Sequence, residues 1–125
     1  MLSKLRVLVV EAEFLVALDL QRLLEQAHAA TTVFARSIAE AAGLPDLAAR
    51  FDLAIIAAAP DMEPAKTLAR RLKGDGVAVV VTSTDGGLSP TIPGLDDIPL
   101  LHKPFAEAKL LAACSAALAD VPPRD

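Results

Sequence analysis

Few side chains in this 125-residue chain could do chemistry, and most lack a helper. Ser83 and Thr84 offer hydroxyls, but no histidine or other base stands near them in sequence to activate a nucleophile. His28 and His102 are far apart and Cys114 is the single cysteine, so no metal-ligating spacing exists. Gly86-Gly87 leads into prolines instead of opening a helix, which excludes a phosphate-cradling glycine loop. The carboxylates Glu11, Glu13, Asp61 and Asp85 remain. The same residues suit helix and turn caps. No enzyme is expected.

The element that should position such groups is the stretch 51–61, Phe-Asp-Leu-Ala-Ile-Ile-Ala-Ala-Ala-Pro-Asp. It reads as a fully buried central strand, opened by a polar residue and stopped by Pro60-Asp61. In an open parallel sheet, chemistry lies just beyond the carboxyl ends of central strands, where strand order switches. Here that end carries Ala57, Ala58 and Ala59. Alanine cannot take a phosphoryl group, bind a metal or move a proton.

Around it, apolar β-branched runs predict strands at residues 5–10, 31–35, 77–81 and 98–101. A first helix is expected from the acidic turn 11–13 to about His28, with Leu20, Leu23, Leu24 and Ala27 inward. Ser37, with Glu40 three residues on, predicts a capped second helix ending at Gly43-Leu44-Pro45, then a short helical piece over 46–50. Glu63-Pro64 should open a helix that buries Ala65, Leu68, Ala69 and Leu72 and ends at 74–76. Residues 86–97 hold prolines and glycines and read as loop. The last helix should run from about 105 to 119, with Leu110, Cys114, Ala117 and Leu118 inward, followed by a tail at 122–125. Strands alternating with helices predict a doubly wound, three-layer (βα)5 fold with a five-stranded parallel sheet and a short or irregular fourth helix.

Net charge is −4 without runs of like charge, and the basic trio Arg70, Arg71 and Lys73 suits a helix C-terminus. No nucleic-acid or membrane-binding face follows from it. With no Trp or Tyr, aromatic anchors for an interface or for stacking bases are scarce. One cysteine fits a reducing compartment, and neither a signal peptide nor a membrane span is read, so a cytoplasmic location is expected.

The ordered set of motifs resembles the receiver domain of bacterial two-component response regulators over essentially the whole chain, residues 1–121. Residues 8–13, Leu-Val-Val-Glu-Ala-Glu, are similar to the family's first strand and its two acidic residues. Residues 79–82, Val-Val-Val-Thr, resemble its hydroxyl-bearing fourth strand, and residues 100–105, Leu-Leu-His-Lys-Pro-Phe, its ending. The resemblance implies an aspartate at the end of the third strand that accepts phosphoryl from a histidine kinase. It also implies acidic residues holding Mg²⁺, and a Thr and Lys that bind the phosphoryl oxygens.

This sequence keeps Glu11, Thr82 and Lys103, has Ala12 at the second acidic position, and has Leu100 at the aromatic switch position. Counting from Asp52 puts the acceptor at Ala57; counting back from Pro60 puts it at Ile56. Neither is a carboxylate. The resemblance therefore implies a degenerate phosphorylation pocket of Glu11, Ala12, Ala57, Thr82 and Lys103. It has no catalytic residue, no cofactor and no metal; at most Glu11 with one of Glu13, Asp61 or Asp85 would contact Mg²⁺ weakly, since that ion often takes only one or two protein carboxylates. Lys103 either pairs with Glu11 or stands in partial solvent.

The expected function is that of a pseudo-receiver in phosphorelay signalling that works by protein–protein interaction. Its partner would be a histidine kinase, a phosphotransfer protein or another regulator. The contact surface would include Leu88, Ile92, Leu100 and His102, with the first helix as the second candidate. The alternatives are a homodimerisation module and a small-molecule sensor using the emptied pocket.

Overall fold

In a computed structural model, residues 4–58, 62–83, 98–103 and 106–121 are described. Five short strands, β1 (Arg6–Val10), β2 (Thr31–Ala35), β3 (Leu53–Ala57), β4 (Ala78–Ser83) and β5 (Leu100–His102), form one parallel sheet in the order β2-β1-β3-β4-β5. β1, β3 and β4 are apolar along nearly their whole length because helices cover both faces. Strand order reverses between β1 and β3, so their carboxyl ends form the switch point.

Alternation along each strand sorts the core into two clusters. Leu8, Val10, Ala54, Ile56, Val79 and Val81 face α2 (Ile38–Ala42), α3 (Leu47–Arg50) and α4 (Met62–Gly74). Val7, Val9, Leu53, Ile55, Val80 and Leu101 face α1 (Phe14–Gln26) and α5 (Glu107–Ala119). The expected inward stripes of the helices are buried, except that Leu118 is only partly covered. Asp52, which opens the central strand, is tied at the amino end of the sheet. Its Oδ2 accepts from the Arg6 backbone N–H at 2.9 Å, and its Oδ1 meets the Arg6 guanidinium at 3.1 Å. That partner holds the guanidinium pKa above its ordinary value.

The Ser37 cap forms as expected: its Oγ accepts the Glu40 N–H at 3.0 Å. The first helix is shorter than expected at both ends. It starts at Phe14, because Glu13 is extended at the N-cap position and the Glu11 carboxylate accepts the Glu13 N–H at 3.1 Å. The acidic side chains therefore precede the first turn instead of lying in it. At the other end His28 lies outside the helix, in the left-handed region at φ 70°. The His28 N–H donates to the Glu25 carbonyl and the Ala29 N–H to the Leu24 carbonyl, closing a Schellman motif. Gly76, at φ 91°, holds the same place after α4 without a Cβ penalty. α4 begins at Met62, so Pro64 is its third residue and not its first. β4 and β5 begin and end one to two residues later than the apolar runs suggested. The proposed irregular fourth helix and the 86–97 segment lie outside the described residues.

Candidate functional site

The pleat determines which side chains gather at the switch point. Val9, Ile55, Val80 and Leu101 point toward α1 and α5. Two residues on in each row stand Glu11, Ala57, Thr82 and Lys103, which carry the same rows to the carboxyl edge, Ala57 and Thr82 inside their strands and Glu11 and Lys103 just beyond theirs. Ala57 lies opposite Thr82 in the ladder between β3 and β4. Of the two positions that counting leaves open, Ala57 shares this face, whereas Ile56 is buried in the opposite cluster.

The dominant feature is an ion pair. Lys103 Nζ donates to Glu11 Oε1 at 2.6 Å, with side chains only 9% and 3% exposed. β1 and β5 are three ladder steps apart, about 14 Å at about 4.8 Å per step. Two long side chains thus meet across the ends of β3 and β4, and Ala57 shares the lining of the adjoining cavity with Glu11. Both backbones are anchored: the Glu11 N–H donates to the Ala35 carbonyl at 3.0 Å and the Lys103 N–H to the Ser83 carbonyl at 2.8 Å. Of the two environments open to Lys103 in the sequence, it occupies the paired one.

Thr82 is 1% exposed, and among the described residues its Oγ1 has no hydrogen-bond partner. A buried, unsatisfied hydroxyl costs about 1–3 kcal/mol. Beside the ion pair, a cavity of about 200 Å³ is lined by Glu11, Ala12, Arg36, Ser37 and Ala57 among others. The Mg²⁺ that the receiver resemblance implies does not fit this donor set. Glu11 is engaged by an ammonium, and Ala12 and Ala57 bring no oxygen from their side chains. Among the described residues no group of three His, Cys, Asp or Glu could hold a metal ion.

Other sequence-predicted positions are scattered. Glu13 is exposed at the start of α1, and Asp61, Thr84 and Asp85 lie outside the described residues. Of the expected contact surface, Leu100 and His102 are half-buried on the face opposite Lys103, while Leu88 and Ile92 lie outside the described residues. Cys114 is buried in the core, and burial pushes its thiol pKa up to about 12. Sequence reasoning missed a second cavity, of about 490 Å³, between α1, β2 and the start of α2. Its signal was Phe14 and Leu18, apolar residues off the buried stripe of α1, which are 71% and 44% exposed.

No protein-family model matches this sequence, and no curated protein is similar to it. Solved structures are. The chain is similar to the BeF3-activated conformation of SdrG from Pseudomonas melonis, at 26% identity and a TM-score of 0.73 over 94% of this chain and 99% of that one. It is similar to the signal receiver domain of an HD domain-containing protein from Pseudomonas fluorescens, at 25% identity and a TM-score of 0.72 over 93% and 95%. A response regulator from Thermotoga maritima, 20% identical, superposes with a TM-score of 0.75 over 94% and 99%. The fold is the flavodoxin-like receiver fold. What these response regulators and receiver domains share with this chain is the fold. Among the described residues no helix is long and apolar enough to cross a membrane.

Proposed function

We propose that this chain is a cytoplasmic pseudo-receiver. It takes no acyl phosphate at the end of β3 and acts by binding a histidine kinase, a phosphotransfer protein or another regulator. The observation that carries this reading is the buried Glu11–Lys103 pair beside Ala57. A site that accepts a phosphoryl group needs a nucleophilic carboxylate, and cationic charge left free for the arriving oxygens. Here the nucleophile's place is an alanine, and the ammonium is already neutralised by a carboxylate from the same chain.

Phosphorylation switches a receiver by biasing two packings of one face. With the ammonium committed internally, this chain rests in one packing, and its output depends on which partner binds. Leu100, His102 and the 86–97 segment, with Leu88 and Ile92, make the first-choice contact surface.

The test is incubation with acetyl phosphate and Mg²⁺ followed by intact mass measurement. The expected result is an unchanged mass, and a gain of about 80 Da, one phosphoryl group, would refute the reading. Affinity co-purification then separates two outcomes. Recovery of a kinase or phosphotransfer protein supports the adaptor reading, whereas recovery of only a second copy of the chain replaces it with a homodimer module.

A further inference from the structure

The cavity between α1, β2 and α2 has an apolar wall and charged residues, and it borders the degenerate phosphorylation pocket at Glu11 and Ala12. Phe14, Ala17, Leu18 and Phe34 supply the apolar lining, and its volume of about 490 Å³ suits a small molecule. Arg36 and Glu40 line it too, and both are exposed. Neither makes an ion pair or side-chain hydrogen bond with any described residue, although both border the same space. The other charged group on the lining, Glu11, is already neutralised by Lys103. Among the described residues, the lining thus presents one cation and one anion without a partner, beside an apolar surface. We propose that this cavity binds a zwitterion with an apolar side chain, the chemistry of a free apolar α-amino acid. The ligand carboxylate meets Arg36, its ammonium meets Glu40, and its side chain covers Phe14, Leu18 and Phe34. That contact would also cover two of the large apolar residues the fold leaves in water.

Backbone amide NMR of the full chain, titrated with L-leucine and L-phenylalanine, tests this. Saturable shifts are expected at Phe14, Ala17, Phe34, Arg36 and Glu40. Removing either ligand charge, with 4-methylpentanoic acid or 3-methylbutan-1-amine, should weaken binding by about tenfold or more, which is about 1.4 kcal/mol. R36M and E40Q should do the same; both sites are exposed, so both variants should keep the wild-type spectrum outside α1, β2 and α2. Absence of saturable shifts up to about 10 mM amino acid would overturn the proposal. Equal binding of the acid lacking its amine would overturn it too, as would shifts confined to other surfaces. A failure here leaves the mass result on phosphorylation untouched, so the two readings fail separately.

Discussion

Replacing Glu11 by leucine strands the Lys103 ammonium in a place with little access to water. The side chains of the pair are 3% and 9% exposed, so the relevant figure is that for a broken buried pair, about 3–5 kcal/mol. An exposed pair would be worth only about 0–1 kcal/mol. Domains of this kind are stable by about 5–15 kcal/mol, so the single change should remove a large share. With a urea slope of about 1–3 kcal/mol per molar, the midpoint should fall by about 1–5 M. Lys103→Met should cost slightly less, because the stranded Glu11 carboxylate keeps its bond from the Glu13 N–H at 3.1 Å. The double variant, Glu11→Leu with Lys103→Met, removes both charges and with them both desolvation costs. It should unfold within about 1 kcal/mol of the parent, or be more stable. The assay is equilibrium urea unfolding of all four proteins, read as a double-mutant cycle. Single variants that cost under about 1 kcal/mol and add in the double would refute the reasoning, since that is how a solvated pair behaves.

Other substitutions probe the neighbouring groups. Thr82→Val keeps the β-branched shape and deletes the hydroxyl that has no partner, so stability should rise by about 1 kcal/mol or more in urea unfolding; a loss would mean that Oγ1 is bonded. His28→Gly should stabilise by about 1 kcal/mol, because φ 70° strains any residue with a Cβ, and an unchanged or lowered thermal midpoint would count against that strain. The Cys114 thiol should resist iodoacetamide in native buffer at pH 8 and react freely in urea, since burial keeps it protonated. Its raised pKa also gives a direction with pH. The contribution to stability is fully present below the unfolded thiol's 9.0 and is lost as pH rises toward about 12, so Cys114→Ala should flatten that alkaline slope.

The fold was legible because its signals are local and repeated. Uninterrupted apolar runs at β1, β3 and β4 state that both faces are covered, and strands alternating with helices leave parallel order as the simple solution. Helix ends were read less well. The left-handed turn at His28 carries no glycine to announce it, whereas Gly76 announces the same turn after α4. The α1 start moved because a side chain from the preceding strand end, Glu11, took the N–H that a helix-capping residue would otherwise serve. Within the site, the missing nucleophile was visible as an alanine, but the fate of Lys103 was not. Whether an ammonium goes to solvent or to a carboxylate 92 residues away depends on sheet closure across three ladder steps, which no local pattern encodes. The α1–β2–α2 cavity was illegible for a similar reason, since Phe14, Phe34 and Arg36 come from elements that meet only after folding.

The retained Glu11, Thr82 and Lys103 differ in what they gain from a missing acceptor. An aspartate at position 57 would sit opposite Thr82 and within the space the ion pair crosses, offering the hydroxyl a partner and the ammonium a rival to Glu11. With alanine there, Lys103 has one anionic partner among the described residues, and Thr82 has none for its hydroxyl. The same substitution therefore consolidates one group and orphans the other. That asymmetry explains why the two tests above carry opposite signs: breaking the ion pair should destabilise the chain, and deleting the hydroxyl should stabilise it. A site still organised around an oxygen at position 57 would give the reverse sign for Thr82, because its hydroxyl would then be bonded.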